Sequence, residues 1–190
     1  MAEKESEFSK KDETSGKLAV NDLALHYWQT ITYLINLIKA AELKAGLILS
    51  FYGILLNFVY QNAESTVEVL EGNIVFYVLI SVWFVLTLVS VYYSIRSFIP
   101  RIEASYDKNA FFFGDIISKF GTIQEFSDTF YDISNDQSER FHQLGQQIFI
   151  NAKISAIKLK NVNKSLRFLA YSLFMLLMIV FIYLGSVIIG

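Results

Sequence analysis

The side chains best suited to acid–base or metal chemistry are scattered along this chain. It contains 18 aspartates and glutamates, two histidines and no cysteine. The histidines, His26 and His142, are isolated from each other, and no set of ligands at metal-site spacing surrounds either. The sequence also lacks a glycine-rich phosphate loop, a serine nucleophile elbow and a paired-carboxylate constellation. We therefore expect no enzyme, no metal site, no disulfide and no cofactor.

Two charged residues stand at the start of a long apolar run. Glu42 and Lys44 directly precede the run from Ala45 to Tyr60. An acid at a membrane boundary must be solvated, paired or functional. We expect Glu42 either to stay exposed at the interface or to pair with a cation and so set the register of its helix. The candidate cations are Arg96, Arg101 and Arg167.

A row of small residues follows on the same helix. Gly46, Ser50 and Gly53 stand at i, i+4 and i+7, and small residues on one face let membrane helices approach closely. With Glu42 and Lys44, they are the residues that we predict to set helix packing and register. The pattern does not say whether the packing is within one chain or between chains.

Three long apolar runs carry these residues. They extend from Ala45 to Tyr60, from Asn73 to Ile95 and from Phe168 to Ile189. A bilayer core needs about 20 helical residues, and a chain of 190 residues cannot bury three such helices in a soluble core. An apolar fraction of 54% and a mean hydropathy of +0.41 agree. The predicted class is an all-α integral membrane protein with three transmembrane helices and cytoplasmic helical extensions.

These runs divide the chain into seven predicted segments. They are a disordered tail (1–17), a juxtamembrane helix (18–43), a first span (44–61), an outer loop (62–72), a second span (73–97), a cytoplasmic helical region (98–166) and a third span (167–190).

The distribution of charge predicts the orientation. All 16 lysines and arginines lie outside the linker from Gln61 to Gly72, whose charged residues are Glu64, Glu68 and Glu71. Because lysine and arginine stay in cytoplasmic segments, this linker should face outward. The chain should therefore be N-in and C-out, with most of its polar mass in the cytoplasm and some cations on anionic lipids. Acids interleave with these cations, so we expect no nucleic-acid binding.

Helix signals recur between the second and third runs. Thr122 and Glu125 form a capping box that predicts a helix start at Ile123. The polar stretch from Ser134 to Glu139 should interrupt this helix, and an apolar stripe then continues into the third span. The stripe comprises Phe141, Leu144, Ile148, Ala152, Ser155, Leu159, Val162 and Leu166.

Four short motifs, in this order against three spans, resemble the Pycsar effector transmembrane family. They are AAELKAG (40–46), the Pro-Arg ending of 96–101, NAFFFGDI (109–116) and QIFINAKISAIKLKNVNKSL (147–166). The resemblance covers about residues 20–185, and Glu42 keeps the acid where the family typically has an aspartate. It implies a multi-pass bacterial inner-membrane effector of antiphage defence, paired with a uridylate or cytidylate cyclase. Such an effector impairs the membrane when a cyclic pyrimidine mononucleotide appears.

The implied ligand, cyclic UMP or cyclic CMP, carries an anionic phosphate, a hydroxyl and a flat base. No β-barrel nucleotide module is present, so we expect the site among the inner helices. The candidates are Arg101, Lys153 and Lys158 for the phosphate, Asp115 and Asn151 for hydroxyl or base edges, and Phe112 and Phe113 for stacking. The alternative is a solvated lysine stripe and a phenylalanine core.

Two classes of function remain open. The first is a gated effector that oligomerises or rearranges on binding a cyclic mononucleotide, or a cyclic oligonucleotide, and makes the membrane leak. The second is a non-gated membrane anchor that recruits a cytoplasmic partner. From the basic inner face and the small-residue row we expect a homo-oligomer.

Overall fold

The computed structural model describes residues 2–63, 74–99 and 108–189, with side chains described for 20–63, 74–99 and 108–185. In these ranges all regular structure is helical, which confirms the all-α class. The helices are α1 (Ala2–Gln61), α2 (Ile74–Phe98), α3 (Phe113–Ser118), α4 (Ile123–Asn135) and α5 (Gln137–Ile189). Arg101 and the acidic linker residues Glu64, Glu68 and Glu71 lie outside the described residues.

Three helical stretches are long and apolar enough to cross a membrane, as the sequence predicts. They are Val20–Gln61, Ile74–Phe98 and Gln137–Gly185. The backbone of α1 is helical from Ala2, whereas the sequence predicts a disordered tail before residue 18. Glutamate and lysine, which are good helix formers, are frequent there and no proline interrupts them. The predicted boundaries at residues 17 and 43 both fall inside this one helix and stay predictions.

The chain divides into two compact units. The first consists of Met1–Asn36 with Ile102–Lys153, and the second of Leu37–Arg101 with Ile154–Gly190. The long helices α1 and α5 contribute residues to both units, α2 belongs to the second, and α3 and α4 belong to the first.

Aromatic side chains form much of the core of the first unit. Phe120 and Ile133 are buried together with Ala110, and Phe126 packs against them with its ring 5.1 Å from that of Phe120. Phe126 and Ile133 stand two turns apart, so one face of α4 supplies the core. The predicted core of neighbouring phenylalanines is present only in part, because Phe111 packs against this cluster, whereas Phe112 is half-buried outside it and Phe113 is exposed.

The start of α4 is where the capping box places it. The Thr122 hydroxyl accepts a hydrogen bond from the Glu125 backbone N–H at 3.1 Å. The Glu125 carboxylate accepts from the Gly121 N–H at 3.0 Å, one residue earlier than in the usual box, and contacts the Lys108 ammonium at 2.6 Å. The bond to Lys108, followed by that to Gly121, lowers the pKa of Glu125.

The predicted interruption after α4 is also confirmed. Asp136 lies between α4 and α5 and caps the start of α5, because its carboxylate accepts from the backbone N–H groups of Ser138 and Glu139 at 2.9 and 3.1 Å. From there α5 continues without a break to Ile189.

The second unit is a bundle of three helices with a heptad pattern. Apart from Asn161, the buried residues recur at spacings of three, four or seven, as in left-handed coiled-coil packing. On α1 they are Ala41, Ala45, Ile48 and Tyr52; on α2 Phe76, Trp83, Thr87, Ser90, Ser94 and Ser97; and on α5 Ser155, Lys158, Val162, Ser165, Ser172 and Ile179.

Within one chain the predicted small-residue row is not the packing face of α1. Ser50 and Gly53 are exposed, and a Cβ added at Gly53 would meet nothing within 4 Å. Gly46 is half-buried and lies near Phe98. Helix α1 approaches α5 closely on the neighbouring face, where Ala41 and Ala45 pack on α5. Larger side chains on that same face fill the rest of the bundle. Packing between chains through Ser50 and Gly53 stays a prediction.

Candidate functional site

The residues predicted to bind a nucleotide are divided between the two units. Phe112, Phe113, Asp115, Asn151 and Lys153 belong to the first unit, and Lys158 belongs to the second. Arg101 lies outside the described residues. The two groups are described separately below.

Asp115 closes a loop in the first unit. Its side chain is buried, and Oδ2 accepts from the Asn109 backbone N–H at 3.0 Å. The Lys119 ammonium, one helical turn later, lies 3.1 Å from Oδ1. Phe112, between these residues, is half-buried, while Phe113 is 77% exposed. Asp115 thus stabilises the loop. Of the two phenylalanines, Phe113 is the one whose ring is accessible to a ligand.

Asn109 attaches the same loop to α5. Its Nδ2 donates to the Gln143 carbonyl at 2.8 Å and to the Gln146 Oε1 at 3.1 Å, while its Oδ1 accepts from the Phe111 N–H at 2.8 Å. The Gln143 side-chain oxygen accepts from the Ala110 N–H at 2.9 Å. Asn109 and Gln143 were not predicted, although Asn109 opens the NAFFFGDI motif.

Two further amides lie on the buried face of α5 in the first unit. Gln147 donates to the Asn151 Oδ1 at 3.5 Å, and both residues are more than nine-tenths buried. The Gln147 Oε1 has no hydrogen-bond partner among the described residues. A buried acceptor without a partner is costly, so this oxygen can accept a hydrogen bond from a ligand or from water. Lys153, two residues beyond Asn151, is exposed.

Lys158 has a different role from the predicted one. Its ammonium group donates to the Glu42 Oε1 at 2.6 Å and to the Ser97 carbonyl at 2.8 Å, and its side chain is 6% exposed against 39% for Glu42. The prediction that Glu42 pairs with a cation is therefore confirmed. Its partner is Lys158 and not one of the three candidate arginines. The pair joins α1, α2 and α5 at one end of the bundle.

Hydroxyl groups fill the middle of the bundle. The Ser165 Oγ lies 2.7 Å from the Ser94 Oγ and 3.1 Å from the Ser90 Oγ, and the Tyr52 hydroxyl lies 2.9 Å from the Ser172 Oγ. We call the whole set the hydroxyl seam. It comprises Tyr52, Thr87, Ser90, Ser94, Ser97, Ser165 and Ser172, all of them buried.

An apolar groove of about 400 Å³ lies at the opposite end of the bundle from the ion pair. Trp83 is buried against Phe76 and Ile179 and forms part of the wall of this groove. From one end to the other, the bundle interior therefore changes from an ion pair through hydroxyls to hydrocarbon.

The described side chains offer no metal centre. No group of three or more histidine, cysteine, aspartate or glutamate side chains comes together within the described ranges.

Fold and site together define a helical membrane protein with three candidate spans and a polar bundle interior. A family model, the Pycsar effector protein domain, matches residues 26–185. The chain belongs to this family, and membership implies an antiphage defence effector. No curated protein and no solved structure matched it.

Proposed function

We propose that this protein is an antiphage effector that binds cyclic UMP or cyclic CMP, rearranges or oligomerises, and then impairs the bacterial inner membrane. The Glu42–Lys158 pair carries the proposal. A buried ion pair contributes little net stability, and ionisable residues in membrane helices commonly serve a function. An inert anchor needs no such pair in its bundle.

The first unit supplies the groups that a pyrimidine nucleotide requires. Gln147 offers a buried acceptor for the N3–H of uracil or the amino group of cytosine, and Asn151 lies beside it. Lys153 offers a positive charge for the phosphate, and Phe113 an exposed ring for stacking. We propose these four as the ligand-binding residues, while Arg101, which lies outside the described residues, stays a prediction from the sequence pattern. Asp115 supports the loop that carries Phe113.

The proposed orientation rests on the charge pattern, and the proposed partner rests on the family. With the basic segments in the cytoplasm, the first unit meets a nucleotide made by a partner cyclase there. The protein then acts as a receptor with no catalytic step of its own. The exposed Ser50 and Gly53 offer a close-packing face for a second copy in a homo-oligomer.

The ligand must favour the open state by a definite amount of free energy. Shifting a resting-to-open equilibrium from 1:99 to 99:1 requires about 5.5 kcal/mol of differential binding. Several copies in an oligomer can supply this as a sum of modest contributions. Gating therefore requires the nucleotide to bind the open assembly more tightly than the resting chain.

Nucleotide binding by the full chain in lipid nanodiscs tests the proposal. Equilibrium dialysis with labelled cyclic UMP, cyclic CMP and cyclic AMP should show binding of a pyrimidine nucleotide in preference to cyclic AMP. Gln147→Leu should abolish it, whereas Gln124→Leu, on the exposed face of α4, should leave it intact. Absence of binding by any cyclic mononucleotide would contradict the proposal and favour a cyclic oligonucleotide or an anchor.

A further inference from the structure

We infer that the second unit carries a binding site for an anionic phospholipid on its outer surface. The site lies where α2 and α5 pack side by side, at the end of the bundle that contains the ion pair. Arg96 and Lys164 bind the head-group phosphate there, and the rings of Tyr93 and Phe168 lie against the glycerol and the acyl chains. The inference goes beyond the proposed function, because it holds whether or not a nucleotide acts on the protein.

The second unit is strongly positive over its described residues. It contains seven lysines and arginines but a single carboxylate, that of Glu42, which is bound to Lys158. The other six cations form no ion pair within the described part of the chain. Such an excess of positive charge attracts anions, and beside a bilayer the nearest fixed anions are lipid head groups. The six cations are Lys39, Lys44, Arg96, Lys160, Lys164 and Arg167.

Two of these cations, one from each helix, are held by adjacent tyrosines of α2. The Arg96 Nη1 donates to the Tyr92 hydroxyl at 3.3 Å, and the ring of Tyr92 lies 5.4 Å from that of Tyr93. The Lys164 ammonium, from α5, lies 4.9 Å from the centre of the Tyr93 ring. Arg96 and Lys164 therefore belong to one surface that both helices form.

Helix structure alone does not account for both cations. Arg96 stands in the last turn of α2, where a positive charge interacts favourably with the helix dipole. Lys164 stands in the middle of α5, far from both of its ends. Its ammonium group donates no hydrogen bond to any residue that the structure describes. A lysine ammonium has three donors, so those of Lys164 are available to phosphate oxygens.

Aromatic rings continue this surface into the third apolar run. Phe168, which begins that run, lies nearly parallel to Tyr93, with an interplanar angle of 10° and ring centres 6.0 Å apart. The ring of Tyr171 follows 6.2 Å from that of Phe168 and is 57% exposed. Tyrosines at the end of a membrane helix are typical of the head-group level. A surface with cations at one end and rings along an apolar run matches an amphiphile, whereas a soluble phosphate has no part that would cover the rings.

Lipid binding by the full chain in a neutral detergent tests the inference. Native mass spectrometry measures the affinity for phosphatidylglycerol and for phosphatidylcholine with the same acyl chains, and glycerol phosphate serves as a soluble competitor. Phosphatidylglycerol should bind more tightly than phosphatidylcholine, and an excess of glycerol phosphate should not displace it. Equal affinity for the two lipids, or displacement by the soluble phosphate, would overturn the site.

Two double variants separate a defined site from general attraction to a basic surface. Arg96→Gln with Lys164→Gln should weaken the binding of phosphatidylglycerol on the order of 10-fold. Lys39→Gln with Lys44→Gln removes the same charge from exposed positions on α1 and should leave this affinity nearly unchanged. An equal loss in the two double variants would show general electrostatic attraction only and would contradict the inference.

Tyr93→Leu tests the aromatic part of the site and leaves every charge in place. It should weaken the binding of phosphatidylglycerol while circular dichroism shows the natural helix content. Tyr77→Leu is the matched control, because Tyr77 is an exposed tyrosine near the other end of the same helix. Natural affinity in the Tyr93 variant, or the same loss in the Tyr77 variant, would overturn the site even if the double variant of Arg96 and Lys164 failed to fold.

Discussion

Lys158 and Glu42 differ in exposure, and the consequences of removing them differ in the same way. The lysine is almost fully buried, whereas more than a third of the glutamate side chain is exposed. Removing Glu42 leaves a buried charge without its counter-ion, while removing Lys158 leaves a carboxylate that water reaches. Removing Glu42 should therefore lower the free energy of unfolding more than removing Lys158.

We predict that Glu42→Leu destabilises the protein by about 3–5 kcal/mol, the usual effect of removing one member of a buried ion pair. Lys158→Met should cost less, and the double variant should cost less than the sum of the two. Thermal unfolding in one detergent, followed by circular dichroism, measures all three. Equal costs for the two single variants would show that the charge on Lys158 is solvated. Lys153→Met, on the exposed face of α5, is the control.

Glu125 makes the first unit sensitive to acid. Its ordinary pKa is 4.5, and the bonds to Lys108 and to the Gly121 N–H lower the pKa in the folded state. The stabilisation is therefore fully present above pH 4.5 and disappears as the pH falls through the lower folded-state pKa.

We expect Glu125→Gln to reduce this acid dependence of stability, because glutamine does not titrate. Unfolding measured against pH between neutrality and strong acid, with Asp132→Asn from the same helix as the control, tests it. An acid profile identical to that of the natural chain would mean that the Lys108 contact forms equally in the unfolded state.

Individual residues were the hardest feature to predict. The presence of an acid at the membrane boundary identified Glu42 as a residue needing a partner, but its partner is distant in sequence. Lys158 stands among other lysines of α5, and local sequence does not distinguish the buried one from those in water. Which lysine is buried depends on which face of α5 packs against α1 and α2.

Among the elements, helix ends were predictable and buried faces were not. Thr122, Glu125 and the polar stretch around Asp136 act through local hydrogen bonds, so they identified the start of α4 and the break before α5. The apolar stripe placed Leu144 and Val162 correctly in the interior, but it included Leu166, which is exposed. The buried face of α5 is largely polar, so an apolar criterion could not find it.

The Asn109 loop is an element whose order depends on one side chain. Asn109→Ala removes three side-chain hydrogen bonds, two of them to Gln143 and Gln146 on α5 and one from the Phe111 backbone N–H, which is left without this partner. Each unsatisfied group costs about 1–3 kcal/mol, so we expect a marked loss of stability in the first unit. Hydrogen exchange of residues 108–120 should rise, while Asn135→Ala, at the exposed end of α4, should leave it unchanged. Unaltered exchange in the Asn109 variant would mean that Asp115 and Gln143 hold the loop without the Asn109 side chain.

At the scale of the whole molecule, composition and charge were sufficient to predict three helices that could cross a membrane. Long apolar runs have few alternatives in a chain of this length, and the helices found match all three. Orientation is a property of insertion and needs a separate measurement.

Because the chain has no cysteine, single cysteines can report its topology. We predict that Asn62→Cys reacts with an impermeant thiol reagent added to whole cells, and that Ser127→Cys reacts only after the cells are opened. The opposite pattern would invert the orientation and place the first unit, with its candidate ligand residues, outside the cytoplasm.

The central claim is that a pyrimidine nucleotide opens this protein in a membrane. Membrane potential in vesicles that contain the inserted chain, with cyclic UMP, cyclic CMP or cyclic AMP added to the face that carries the first unit, tests it directly. The account predicts depolarisation by one pyrimidine nucleotide and none by cyclic AMP. A folded, inserted protein that holds its potential with every cyclic mononucleotide, or that responds equally to the purine, would contradict it.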